Sequence, residues 1–488
     1  MKKKSLGLNG LLNGLRSALN LVFPLITFPY VTRILSVNGI GIYNFSSTYV
    51  GYFVLIAELG VSTYSVREGA KYRDNKEEMG RFASQIFSIN ILSTILAYIL
   101  LILSLLIFSN LKIYISSILI FSLQIFFTTI GTEWIYIIYE DYAYITVRSI
   151  IFKIISIILL FILVKEKQDY LWYAAITVFS SVGSNILNFL NAKKICNIKL
   201  TTNIDWKYHI KPILTIFATT IAVNIYLSSD TTLLGILKSD YAVGIYSTAV
   251  KIYTLVATLL GSVVSVTIPR LAMLMGKKKM KEYNEIFSKV MSSLSLFVIP
   301  GTIGLMMLSK NIILIIAGEK YLPSVNSLRI IGLAIIFSNY SFIFSNCALI
   351  PAKRETIALK NTVITAILNI GLNLVLIPFF SYDGTSFSTV VAEFLTMTLN
   401  FWASRDLIGK TVFSKKVVHD IRDSLISSVG IVVICIICVN SYSSLYTQTI
   451  LSIIFSIIIY ICMLIVLKNE MAMNYLEIII NKFKKNER

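Results

Sequence analysis

Apolar runs of membrane-spanning length follow one another along this chain, separated by short polar gaps. A helix rising about 1.5 Å per residue needs roughly 20 apolar residues to cross a hydrocarbon core, where its backbone must satisfy its own hydrogen bonds. About fourteen stretches meet that length, at roughly 11–35, 40–66, 81–109, 112–138, 145–164, 170–192, 211–235, 241–268, 286–309, 328–350, 357–378, 384–405, 421–440 and 447–467. The pattern predicts an all-α, polytopic membrane protein. A composition that is 56% hydrophobic and 14% charged agrees, with a mean hydropathy of +0.77.

Charge adds a direction. Most of the 44 Lys and Arg collect in every second gap, as in Arg67–Arg81, Lys193–Lys211, Arg270–Lys289 and Arg405–Arg422. The intervening gaps hold only Lys112, Lys165, Lys167, Lys238, Lys310, Lys320 and Arg329. Basic loops stay on the cytoplasmic side, so both termini are expected there. The net charge of +19 is spread over these loops and is not interleaved with an aromatic platform, which argues against nucleic acid as a partner. The basic Met1-Lys-Lys-Lys start reads as part of a retained first helix, because Asn9, Asn13, Arg16 and Pro24 follow with no small-residue cleavage site. The five cysteines have no framework spacing, and Cys435 and Cys438, on one helix face, read as packing residues.

An internal repeat organises the spans. Ser36, Gly41-Ile42-Tyr43, Val61-Ser62 and Arg67 recur, all at one offset, as Ser239, Gly244-Ile245-Tyr246, Val264-Ser265 and Arg270. Each Gly-Ile-Tyr opens the second helix of a half, and each Arg is expected to close it at a basic loop. An even number of spans separates the copies, so two parallel six-helix lobes are expected, with a cavity near the midplane and rocking between lobes. The expected domains are an N-lobe at 1–192, a cytoplasmic linker at 193–210, a C-lobe at 211–405, two further helices at 421–467 and a basic cytoplasmic tail at 468–488.

Three stretches together resemble the polysaccharide-transporter branch of the multidrug, oligosaccharidyl-lipid and polysaccharide flippase superfamily. They are Pro24 to Tyr43 with Leu59-Gly60-Val61 and Arg67-Glu68; Asp230 to Gly235 followed by Ala242 to Lys251; and Gly384 to Glu393. The resemblance implies a MATE-like fold of fourteen helices. It also implies a Wzx-type flippase that carries undecaprenyl-diphosphate-linked oligosaccharide from the cytoplasmic to the outer leaflet of a bacterial cytoplasmic membrane. Polysaccharide polymerase and glycosyltransferases of the same pathway are then candidate partners. In related flippases the extra helix pair helps form a groove for the polyprenyl tail, whereas typical drug exporters stop at twelve.

Ionisable groups inside a membrane are costly unless paired or wetted, so each is a candidate site residue. A diphosphate calls for cationic donors, and Arg16, Arg33, Lys153 and Lys251 are the candidates for its path. Arg16 and Arg33 can equally snorkel to opposite interfaces. Asp230 is a candidate partner of Lys251, or a ligand of a coupling cation such as Na+ together with Asn369 and Asn373, which share a helix face at i and i+4. Glu58 and Glu393 are candidates for loading H+, or for interhelical hydrogen bonds. Tyr43 and Tyr246 are read as packing residues with sugar stacking as the alternative, and Pro24 and Pro29 as interruptions of the first helix.

No catalytic set, metal site or other cofactor is expected. His209 and His419 fall in basic loops and are expected to be solvated, and no phosphate-cradling Gly-Lys-Ser/Thr loop is visible. A cation-coupled multidrug exporter of the same superfamily is the nearer alternative, and a membrane polymerase or ligase the more distant one.

Overall fold

The computed structural model describes residues 6–474, apart from several side chains of the first helix and that of Val263. Among the described residues every regular element is helical. The helices are α1 (Leu6–Ile34), α2 (Val37–Glu58), α3 (Val61–Gly69), α4 (Lys76–Ile107), α5 (Ile115–Gly131), α6 (Glu133–Ile138), α7 (Tyr142–Leu163), α8 (Tyr170–Val182), α9 (Asn185–Ile195), α10 (Trp206–Leu237), α11 (Asp240–Ser265), α12 (Ile268–Gly276), α13 (Met280–Met307), α14 (Ser309–Ile316), α15 (Ser324–Gly332), α16 (Ala334–Ile343), α17 (Glu355–Val412), α18 (Lys415–Ser441) and α19 (Leu445–Val466). Twelve helical segments are long and apolar enough to cross a membrane among the described residues. One of them, α17, is two arms broken at Ser381, whose φ of 49° and ψ of −131° are not helical. Helix α1 runs unbroken through Pro24 and Pro29.

The chain divides into two compact units, Met1–Gly244 and Ile245–Arg488. Helix α10 therefore belongs to the first unit, and the segment 193–210 lies inside that unit. The basic tail expected from 468 falls outside the described residues from 475 onward.

In the first unit α2 packs against α4, α5 and α10, while α7 packs against α1 and α8. One core joins Val50, Phe53, Leu101, Ile118, Phe121 and Val178. A second, toward the basic loops, joins Tyr64, Phe82, Ile86, Trp134, Tyr136 and Ile213. Outward positions such as Ile102, Leu119 and Ile154 are more than half exposed. Exposure of such a side chain to water would forgo about 1.5–3 kcal/mol of burial, so this surface meets acyl chains.

Two of the spans break by left-handed residues. Helix α2 stops at Leu59 and Gly60, with φ of 48° and 71°, and α5 stops at Thr132 with φ of 40°. The Ala57 carbonyl, near the first break, accepts from Asn90 Nδ2 at 2.5 Å and Ser93 Oγ at 2.6 Å, so the polar group is satisfied inside the protein. Gly60 lies against α10, where an added Cβ would come within 2.9 Å of Ile216 Cγ2.

The repeat appears as reciprocal contacts within the first unit. Ser36 Oγ accepts from the Gly39 amide and Ser239 Oγ from the Ala242 amide, so each copy caps its helix the same way. A Cβ on Gly41 would lie 1.8 Å from the Asp240 carbonyl oxygen, and one on Gly244 would lie 2.3 Å from that of Val37. Asp240 and Val37 are themselves equivalent positions of the repeat, so the two glycines make one contact twice. Arg67 and Arg270, expected to end the long helices, instead lie on the short helices α3 and α12 that follow a break.

In the second unit α13 packs against α12, α15, α16 and α18, and α18 packs against α19. The Ser424 and Tyr460 hydroxyls lie 2.8 Å apart, and each is 3.0 Å from an α13 carbonyl, that of Ser295 and of Leu296 respectively, so their two protons are shared among these three contacts. Cys196, Cys347, Cys435 and Cys438 are buried free thiols, and Cys462 is an exposed one on α19.

Candidate functional site

Each unit carries its own set of intramembrane polar groups. On the first, Arg33 is exposed in the last turn of α1, and Lys153 of α7 is half-buried with its Nζ 5.9 Å from the Phe23 ring centroid. The Arg16 side chain lies outside the described residues. Asp230, 8% exposed on α10, is close enough to Tyr52 to act on it electrostatically, and Tyr52 Oη hydrogen-bonds Thr232 Oγ1 at 2.9 Å.

Two of the helix breaks each carry a carboxyl. Glu58 is the last residue of α2 and Glu133 the first of α6, each next to a left-handed residue, and their charges act on each other. Glu58 was a sequence candidate. Glu133 is likewise an ionisable residue inside a predicted span, but nothing in the sequence around Gly131-Thr132 marks the break that positions it.

On the second unit Lys251 is half-buried on α11, and Glu393 is half-buried on the second arm of α17. Asn369 and Asn373 do meet: Asn373 Nδ2 donates to Asn369 Oδ1 at 3.1 Å, and Ser388 Oγ donates to Asn373 Oδ1 at 2.7 Å. They belong to a longer stripe. Asn361 Nδ2 donates to Asn400 Oδ1 at 2.9 Å, and Asn400 Nδ2 donates to Ser341 Oγ at 3.0 Å. The signal was in the sequence, where Asn361, Thr365, Asn369 and Asn373 recur every fourth residue, one face of a helix. Asp230 is in the first unit, whereas Lys251, Asn369, Asn373 and Glu393 are in the second.

Tyr43 stacks on Tyr173 at 4.3 Å between ring centroids and hydrogen-bonds Thr177 at 3.1 Å, while Tyr246 is buried with its hydroxyl 3.3 Å from Thr389. Both are packing residues. The solvated histidine expected at 209 is instead 2% exposed, because α10 begins at Trp206 and carries the ring inward. There Nδ1 hydrogen-bonds Tyr64 Oη and Nε2 hydrogen-bonds Gln85 Oε1, each at 2.7 Å. Arg148 of α7 is also buried, and it donates to the Ser184 carbonyl at 3.2 Å.

A cavity of about 710 Å³ opens in the second unit between α11, α13, α14, α18 and α19. Its walls are Val256, Phe297, Gly301, Gly304, Leu305, Ile312, Ile431, Ile457, Ile461 and similar apolar residues, with Ser456 and the Tyr460 phenol as scarce polar groups. Such a lining takes hydrocarbon and rejects ions.

Comparison with known proteins places this geometry. A protein named as an O-antigen transporter in Shigella dysenteriae is 25% identical over 383 residues, covering 77% of this chain and 94% of its own length. A protein named as a low-salt glycan biosynthesis flippase in Haloferax volcanii is 25% identical over 167 residues, covering 34% of this chain and 35% of its own. Among solved structures, a lipid II flippase MurJ in an inward closed conformation superposes with a TM-score of 0.74 at 16% identity, over 93% of this chain and 97% of that one. An inward-facing MATE multidrug transporter superposes with a TM-score of 0.63 at 12% identity, over 80% of this chain and 95% of that one. The fold is thus that of MurJ and MATE transporters. The sequence profile described as "Polysaccharide biosynthesis protein" matches residues 7–275, more than half of the chain, and the protein belongs to that family.

Proposed function

We propose that the protein flips undecaprenyl-diphosphate-linked oligosaccharide repeat units from the cytoplasmic to the outer leaflet of a bacterial cytoplasmic membrane by alternating access. Both termini lie in the cytoplasm, and the product feeds assembly of O-antigen, capsule or exopolysaccharide by glycosyltransferases and a polymerase. The observation that carries this reading is the apolar cavity of about 710 Å³ walled by α13, α18 and α19. Every methylene withdrawn from hydrocarbon costs about 0.8 kcal/mol, so a polyprenyl tail needs an apolar path while its headgroup crosses. Helices α18 and α19 lie outside the internal repeat and supply one wall of such a path. The family and the names of its relatives support the same substrate class.

In this reading Arg16, Arg33, Lys153 and Lys251 conduct the diphosphate. Coupling uses Na+ or H+, with Asp230 and Glu58 the candidate groups of the first unit and Asn369, Asn373 and Glu393 those of the second. No covalent chemistry is needed.

Reconstitution in liposomes with a fluorescent lipid-linked oligosaccharide tests the reading. Wild type flips the lipid, and Lys251→Ala slows it about tenfold, the loss of roughly 1.4 kcal/mol of stabilisation. Gly304→Phe projects a ring into the cavity from a position where an added Cβ meets nothing within 4 Å. It is expected to slow flipping by a similar factor without changing the melting temperature. Drug efflux by wild type with no lipid flipping would favour the multidrug exporter instead. Full flipping by both variants would remove Lys251 and the cavity from the path.

A further inference from the structure

A second cavity, of about 700 Å³, lies in the first unit at the basic-loop face, between the start of α4 and the segment after α9. Lys76, Arg81, Lys193, Lys194 and Lys199 line it, with Glu77 the one acid among its lining residues. All five cations are exposed, and none has a carboxylate within ion-pair distance among the described residues. Ion pairs among the described residues form at other places, as between Arg73 and Glu140 at 2.9 Å, Lys279 and Glu282 at 2.7 Å and Arg354 and Asp406 at 2.6 Å. Lys71 pairs with Glu68 as well. The cavity therefore gathers five cations in one place with no paired carboxylate among them.

The cavity has fixed walls. The Lys199 amide donates to Ser84 Oγ at 3.1 Å and the Thr201 amide to Ser88 Oγ at 2.9 Å, which ties the extended segment along α4. Gly80 allows this approach, since a Cβ there would sit 3.2 Å from the Asn197 carbonyl oxygen. An apolar flank adjoins the charge. Leu200 lines the cavity and is 67% exposed, and Leu190, one turn before Lys194 on α9, is 57% exposed. Cations beside exposed leucines form a boundary between polar headgroups and acyl chains.

We propose that this cavity binds the phosphate headgroup of an anionic phospholipid, with Arg81, Lys193, Lys194 and Lys199 around the phosphate and Leu190 and Leu200 against the first carbons of its acyl chains. The Arg guanidinium offers a planar fork to phosphate oxygens, and the lysines act as point charges. Charge selects the phosphate, and the leucines select a lipid over a free anion. The site uses none of the residues assigned to the transport path.

Native mass spectrometry of the full chain, titrated separately with phosphatidylglycerol, phosphatidylcholine and inorganic pyrophosphate, tests the proposal. Wild type retains phosphatidylglycerol in preference to phosphatidylcholine. The triple variant Lys193→Ala, Lys194→Ala, Lys199→Ala loses that preference by about a hundredfold, since each cation near an anionic surface contributes about fivefold. Replacing the same three residues by Arg keeps it, and Lys277→Ala with Lys281→Ala, at exposed cations of the second unit, leaves it unchanged. Arg81→Gln gives the single-site loss should the triple variant fail to fold. Unchanged retention in the triple variant or in Arg81→Gln would overturn the site. Displacement of the phospholipid by pyrophosphate would overturn the lipid and leave a soluble phosphate as the ligand.

Discussion

Helices α2 and α11 begin alike and end differently. At their starts a serine caps each helix, and Gly41 and Gly244 each bring backbone against backbone at equivalent places. At its end, α2 turns through two left-handed residues, with Gly60 seated on α10 and the Ala57 carbonyl held by Asn90 at 2.5 Å. At the end of α11, Val266 is 82% exposed, and Thr267 Oγ1 bonds only locally to the Val264 carbonyl at 2.7 Å. Asn339 reaches the α11 backbone at Ala257, at a looser 3.5 Å. Duplicated sequence has thus kept its symmetry where two main chains touch, a contact that tolerates no added atom. It has lost that symmetry where a helix merely hands over to a loop, so the first unit owns a pinned joint and the second a locally bonded one.

The largest expected effect attacks the shared beginning. Gly41→Ala is expected to cost about 3 kcal/mol and Gly244→Ala about 2 kcal/mol, because the methyl group must displace a carbonyl in each case. Gly51→Ala, where an added Cβ meets nothing within 4 Å, is the matched control. Thermal unfolding in detergent reads all three, and equal melting of Gly41→Ala and Gly51→Ala would break the reciprocal contact.

A smaller effect separates the two endings. Gly60→Ala places a side chain at φ of 71° and against Ile216, for about 1–2 kcal/mol of destabilisation. Thr267→Ala removes one local hydrogen bond from a residue with ordinary φ of −91° and is expected to cost about 0.5 kcal/mol. Similar losses in both would mean that the joints are equivalent after all. The smallest effect returns to the caps: Ser36→Ala and Ser239→Ala should each cost about 0.5–1 kcal/mol and speed amide exchange at Gly39 and Ala242 by matching factors. Unequal factors would place the divergence of the copies at their beginnings too.

Much of this was legible in the residues, because hydropathy reports the solvent a helix meets and the repeat preserved its glycines and serines. The kinked joints were not. A left-handed Leu59 or Thr132 costs roughly 1–2 kcal/mol locally and is held by packing from distant helices, so no local pattern announces it. His209 misled for a related reason: its neighbours in sequence are polar and basic, whereas its neighbours in space, Tyr64 and Gln85, come from other helices. Of the candidate site, the Asn369 and Asn373 pair was readable from its spacing. The electrostatic influence of Glu133 on Glu58 was not, since it depends on a second break.

The distribution of thiols has an experimental consequence. Cys196 is buried, and burial pushes its thiol up to about 11, which leaves it a poor nucleophile at neutral pH. Cys347, Cys435 and Cys438 are enclosed in helix packing, so Cys462 on α19 is the exposed sulfur among the described residues. Its neighbour Ile461 lines the apolar cavity. The unaltered chain therefore offers a single attachment point for a lipophilic maleimide, and a fluorophore placed there would report arrival of a hydrocarbon tail without any engineered cysteine.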